Sequence, residues 1–163
     1  MDGEETDHVP VPRVLPSPLH RDFQGFPRPR QRAVCALLVD KDGNILMEQE
    51  NIEITEKVCT GHAETTLAAR ASHEYSKAFL RDCTLYTTAE PCAMCAGAIY
   101  NSRIDTVLFG CRDNRAGAVE SLFNVLTHQA LNHRPEVIGG ICEEECRALM
   151  RDFFARQRTE GKK

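Results

Sequence analysis

No stretch of this 163-residue sequence approaches the roughly 18 consecutive apolar residues that a membrane-spanning helix needs, so no helical membrane segment is expected. A targeting pattern is also lacking. The N-terminus is acidic and proline-rich, without the apolar core of a signal peptide or the arginines of a transit peptide, which makes the cytoplasm the expected location. Net positive charge is absent: the formal value is −4, which argues against a generally basic nucleic-acid binder. No internal repeat occurs, and low complexity is confined to the first 32 residues. With no export pattern, the eight cysteines do not read as a disulfide framework. Six of them (Cys35, Cys59, Cys83, Cys111, Cys142 and Cys146) are expected as buried free thiols, because most stand singly in apolar stretches.

What is present is ordinary for one soluble domain, with 42% apolar and 27% charged residues and enough length for a core of its own. The charge is unevenly spread. Asp2, Glu4, Glu5 and Asp7 make the start acidic, whereas residues 147–163 carry Arg147, Arg151, Arg156, Arg158, Lys162 and Lys163 against Asp152 and Glu160. Such a basic end can meet phosphate, since the Debye length of about 8 Å at physiological salt hides distant acids; it equally suits a helix C-terminus, whose dipole favours cations. Residues 1–32 hold six of the eight prolines and show no helical or strand period, so an extended or disordered arm is expected there, with a folded domain over 33–160.

Along that domain, Ala33 to Val39 is a continuous apolar run and reads as a buried strand. A turn at Asp40-Lys41-Asp42-Gly43-Asn44 leads into a second strand from Ile45 to Gln49. Ala63, Leu67, Ala71 and Tyr75 recur every four residues, predicting a helix with His62 in its first turn. Thr84 to Thr88 alternates as a strand, and Pro91 opens a helix from Cys92 to about Asn101, proline being favoured at a first helical position. A strand from Thr106 to Phe109, a helical turn at Leu122–Leu126, a strand from Glu136 to Gly140 and a helix from about Glu143 follow. The last helix places Cys142, Cys146, Leu149, Met150 and Phe153 on one face. The order β-β-α-β-α-β-β-α argues for an α/β domain, a single mixed sheet with helices on its faces.

The chemistry centres on His62-Ala63-Glu64 and Pro91-Cys92-Ala93-Met94-Cys95, whose first cysteine follows the histidine by 30 residues. One imidazole and two thiolates supply three ligands for a tetrahedral zinc and leave a fourth position open, as in catalytic sites. Glu64 stands where a carboxylate could move the protons of an attacking water. Residues two apart do not share a helix face, so the metal must lie over the helix N-terminus for both His62 and Glu64 to reach it. Other readings compete: a thioredoxin-type C-x-x-C redox pair, a closed structural zinc with Cys59 as fourth ligand, or a catalytically silent zinc-stabilised partner subunit.

The H-x-E and P-C-x-x-C pattern resembles that of the zinc nucleobase deaminases, and residues 33–160 resemble the cytidine-deaminase-like zinc hydrolases. That resemblance implies a three-layer α/β/α fold on a central mixed five-stranded sheet. Several stretches are most similar to bacterial tRNA-specific adenosine deaminases: Cys95-Ala96-Gly97-Ala98, Asn101-Ser102-Arg103-Ile104, Phe109-Gly110-Cys111-Arg112-Asp113, Asn132-His133-Arg134 and Asp152-Phe153-Phe154. Asn51, eleven residues before His62, matches the spacing of a base-contacting asparagine in that family. The resemblance implies His62, Cys92 and Cys95 as zinc ligands and Glu64 as the catalytic proton carrier. It further implies substrate contacts from Asn51, Ala63, Pro91, Asp113, Phe153 and Arg156, a tRNA or other loop nucleic acid as partner, and a homodimer. The implied reaction is hydrolytic deamination of adenosine to inosine, at the tRNA wobble position, since loop bases can be splayed into a pocket. Thr60 to Tyr86, by contrast, is more similar to small nucleobase or nucleoside deaminases, which keeps free guanine, cytosine or nucleosides as the alternative substrates. The long amphipathic helix and Pro-x-Gly-Ala step with which the tRNA family opens have no counterpart; the proline-rich arm and Arg32-Ala33-Val34-Cys35-Ala36 stand in their place.

Overall fold

The structure, a computed structural model, describes residues 35–160. The expected N-terminal arm and the first two residues of the first expected strand lie outside the described residues. Strands β1 (Cys35–Val39) and β2 (Ile45–Glu50) form an antiparallel hairpin. Its turn is held by Asp40, whose carboxylate accepts the backbone N–H of Asp42 at 2.9 Å and of Asn44 at 2.8 Å. Helix α1 (Ala63–Glu74) and the one-turn helix α2 (Lys77–Leu80) lead to β3 (Thr84–Ala89). Helix α3 (Ala93–Ser102) crosses over to β4 (Thr106–Cys111), β5 is Glu136–Ile138, and α4 (Glu143–Glu160) closes the described chain. The sheet order is β2-β1-β3-β4-β5, with β3, β4 and β5 parallel and the hairpin antiparallel, so the expected mixed five-stranded sheet is present.

The strands' two-residue period sorts the core. Leu38, Leu85, Val107 and Phe109 face one side, where Ala63, Leu67 and Ala71 of α1 and Ala96 and Ile99 of α3 cover them. Leu37, Val39, Tyr86 and Leu108 face the other side and pack with Ile138 and Ile141. There α4 lies over β3 and β4, with Cys146 seated against Gly110. The result is three layers, α/β/α.

The structure corrects several sequence readings. Leu122–Leu126 is not a helical turn: the N–H groups of Leu122 and Val125 reach back to the carbonyls of Gly117 and Ala118, forming a compact irregular loop between β4 and β5. Tyr75 lies past the end of α1 and stacks on Phe79 at 4.9 Å between ring centroids. Pro91 sits before the N-cap of α3 instead of at its first position, because Cys92 has extended backbone (φ −73°, ψ 174°). Cys59 is exposed and Cys35 and Cys142 are only half-buried, so the expected burial holds for Cys83, Cys111 and Cys146 alone.

Candidate metal centre and active site

Two strand-to-helix junctions build the site. Cys92, following β3, is the N-cap of α3, and His62, following the loop after β2, is the N-cap of α1. Both caps have extended backbone; the His62 side chain makes no capping bond to α1, whereas the Cys92 sulfur faces the Met94 and Cys95 N–H groups and the Cys95 thiol of α3. The imidazole and the thiol thus both stand at helix N-termini, whose first N–H groups have no intrahelical partner. His62 therefore escapes the helical periodicity that separates residues two apart, and it can address the same point as Glu64.

The ligating atoms of His62, Cys92 and Cys95 all lie within 4.8 Å of one another. His62 Nδ1 is 3.5 Å from each sulfur, and the two sulfurs are 3.6 Å apart. The hydrogen bond between the thiols splits their acidities. Together with the N–H groups of Cys95 and Met94 and with His62, it outweighs burial and holds Cys92 down to about 5. The same bond, burial and Glu64 push Cys95 up. Thr65 donates its hydroxyl to Cys95 Sγ at 3.2 Å.

Glu64 is 3% exposed, accepts a hydrogen bond from the Thr87 hydroxyl on Oε1 at 2.7 Å, and places Oε2 3.5 Å from Cys95 Sγ. Burial raises its carboxyl above the ordinary range, with the Thr87 hydrogen bond opposing. Among the described residues Cys59 is outside the donor group, which removes the support for a closed four-ligand site.

Sequence reasoning missed Glu90. It is 3% exposed and accepts backbone N–H groups from Asp113 at 3.1 Å, Val119 at 3.2 Å, Glu120 at 2.7 Å and Ser121 at 2.8 Å. The Ser121 hydroxyl donates to it as well. Burial pushes this carboxyl up, but the Ser121 hydroxyl and the N–H groups of Glu120, Ser121 and Asp113 outweigh it and hold Glu90 below the ordinary range. Gly117 bridges to Cys92, and a side chain at Gly117 would run into the Glu90 carboxylate. One buried charge thereby pins the loop after β4 to the strand end that carries Cys92. The available signal was an acid directly after an uncharged strand and directly before Pro91-Cys92.

The other expected site residues are placed unequally. Asn51 opens the loop before His62, and its Oδ1 accepts the Glu53 N–H at 2.8 Å, leaving the side-chain NH₂ as a donor. Asp113 caps a turn, with Oδ1 accepting from Arg115 and Ala116, and its own N–H is the one held by Glu90. Ala63 is 0% exposed in the core and Pro91 is buried. Phe153 is 9% exposed and packs edge-on to Phe154, which is half exposed. Both lie on α4, as does exposed Arg156, away from the donor group's own helices. Arg147 is already paired with Glu143 at 2.6 Å. No helix among the described residues is long and apolar enough to cross a membrane.

The chain is similar to known deaminases in sequence and in fold. The MafB19-like deaminase family model matches residues 28–158. A tRNA-specific adenosine deaminase of Haemophilus influenzae is 40% identical over 129 residues, covering 79% of this chain and 75% of its own. That of Bacillus subtilis is 37% identical over 121 residues, covering 74% and 75%. Among solved structures, one from studies of A-to-I editing by tRNA:A34 deaminases at the wobble position superposes with a TM-score of 0.63 at 32% identity, covering 71% of this chain and 83% of that one. A guanine deaminase from Nitrosomonas europaea superposes at 0.55 with 22% identity, covering 75% and 72%, a likeness of fold.

Proposed function

The chain belongs to the MafB19-like deaminase family, and on that premise we propose that it is a zinc-dependent enzyme converting adenosine to inosine in a nucleic-acid loop, the tRNA wobble position foremost. The observation that carries this reading is the donor triangle with a buried carboxylate against it. Zn–S bonds of about 2.3 Å and Zn–N bonds of about 2.0–2.1 Å at tetrahedral angles separate sulfurs by about 3.8 Å and nitrogen from sulfur by about 3.6 Å. The separations here are 3.6 Å and 3.5 Å, so His62, Cys92 and Cys95 fit the ion with little adjustment.

When bound, zinc supplies a nucleophilic water at neutral pH. Glu64 takes the proton of the water that attacks the amino-bearing carbon and delivers it to the adjacent ring nitrogen. It then assists proton transfer to the departing amine, so that water replaces ammonia and adenosine becomes inosine. The Thr87 hydrogen bond fixes the carboxylate's orientation, and burial keeps its proton affinity above that of a solvated acid. Asn51 would offer its NH₂ to the base, and the Asp113 turn, pinned through Glu90, would form the facing wall. Phe153 acts by packing the end helix, whose exposed Arg151, Arg156 and Arg158 would meet phosphates.

The adenosine and tRNA assignment is supported by relatives at 37–40% identity that carry that name. A homodimer acting in the cytoplasm completes the proposal. The test is ammonia release by the zinc-loaded chain given tRNA, adenosine, cytosine or guanine. Release from tRNA alone, weakening steeply with salt, is the expected result. Turnover of free bases only would overturn the nucleic-acid assignment, and inertness on all four would overturn the enzymatic one.

A further inference from the structure

The loop between β2 and α1 returns almost to its start. Ile52 N–H donates to the Gly61 carbonyl at 2.8 Å, Gly61 N–H to the Val58 carbonyl at 2.9 Å, and Val58 N–H to the Glu53 carbonyl at 3.1 Å. A side chain at Gly61 would meet Ile52 Cγ1 at 2.9 Å and Glu53 N at 3.0 Å, so glycine permits this closure. Closure brings Glu53 beside His62: the carboxylate Oε2 lies 3.7 Å from Nε2, on the edge of the ring opposite the nitrogen that faces the two sulfurs.

A neutral imidazole has one protonated nitrogen and one with a free lone pair, and the partner of the first decides which nitrogen can bind metal. We propose that Glu53 is a positioning residue that holds His62 as its Nε2–H tautomer and presents the Nδ1 lone pair to the metal. Carboxylate–histidine–zinc chains work this way, and breaking them costs about 10–100-fold in metal affinity. The inference rests on the reading of His62, Cys92 and Cys95 as zinc ligands. Glu53 also donates its backbone N–H to Asn51 Oδ1, so the same residue aims Asn51's NH₂ group. That second contact uses the main chain and survives a side-chain substitution, which separates the two roles.

The test uses full-length chain with Glu53→Ala, Glu53→Gln and, as a control for loop charge, Glu56→Ala. Zinc affinity is measured by competition with a chromophoric chelator. The imidazole tautomer in metal-free protein is read from ¹⁵N shifts of His62. Glu53→Ala is expected to bind zinc about 10–100-fold more weakly and to lose the Nε2–H preference. Glu53→Gln, whose amide oxygen offers Nε2–H an acceptor at the same place, is expected to keep the tautomer and most of the affinity, and Glu56→Ala to match wild type. Zinc binding by Glu53→Ala within twofold of wild type would overturn the proposal, as would equal losses for alanine and glutamine, which would indicate charge alone. If wild-type protein bound no zinc, the metal assignment would fail, and the tautomer would still decide this inference: an Nδ1-protonated ring in wild type refutes it.

Discussion

Glu64, against the Cys95 sulfur, and Glu90, two residues before Cys92, are each 3% exposed, and burial pushes both carboxyls up, yet they end on opposite sides of the ordinary range. The surroundings of Glu64 offer one hydroxyl, that of Thr87, and a thiol. Those of Glu90 offer four peptide N–H groups and the Ser121 hydroxyl, all directed at the carboxylate. Burial with few donors leaves a carboxylate with affinity for protons, and burial within a ring of donors leaves a fixed anion. The first environment suits a group that exchanges protons. The second suits a pin, here the one that joins the loop after β4 to the Cys92 junction.

The contrast can be broken from either side. Glu64→Gln should lower ammonia release by about 10³-fold while zinc content, read by atomic emission, stays stoichiometric, and metal-free stability should not fall. A loss of stability with turnover retained would reverse the two roles. Glu90→Ala should destabilise by about 3 kcal/mol in chemical denaturation, because it leaves several buried N–H groups without an acceptor. Turnover per zinc-loaded molecule should remain within about tenfold of wild type, the spread expected from a small shift of the loop. The pH dependence of Glu90 has a definite sign. Its folded-state acidity is enhanced, so its contribution is present above the unfolded carboxyl's pKa of about 4.3 and is lost as pH falls through the lower folded value. The stability gap between wild type and Glu90→Gln should close in that acidic window.

Thr87→Val removes the single hydroxyl donor to Glu64 and should lower turnover about tenfold, the value of one hydrogen bond to a charged group, with KM unchanged. The smallest effect concerns the thiols. In metal-free protein Cys92, held down to about 5, and exposed Cys59 should take up an alkylating reagent first. Cys83 and Cys146, pushed up to about 11 and about 12 by burial, should resist it. Zinc should protect Cys92 and leave Cys59 reactive, as peptide mass spectrometry will show. Equal protection of Cys59 would restore the four-ligand reading.

Much of the fold follows from local pattern. The apolar run at β1, the alternation at β3 and the four-residue period of Ala63, Leu67 and Ala71 place three central elements within a residue or two. Where local pattern misled, the cause is tertiary. Leu126 is fully buried while Leu122 and Phe123 are exposed, a division set by backbone hydrogen bonds to residues 117 and 118 that no helical period encodes. Arg147, counted in sequence with the basic end, pairs with Glu143 one turn earlier.

The sequence by itself determined the candidate donor set and the acid beside it, because His62, Glu64, Cys92 and Cys95 are residue types whose chemistry is local and whose spacing is distinctive. Only the tertiary structure decided how they meet. Two helices pack on one face of the sheet so that their N-caps converge, and the extended backbone at His62 and Cys92 frees both side chains from helical periodicity. It also decided what each carboxylate does. The proton affinity of Glu64, the fixed charge of Glu90 and the approach of Glu53 to His62 depend on donors distant in sequence or on loop closure, and a linear pattern carries no record of either.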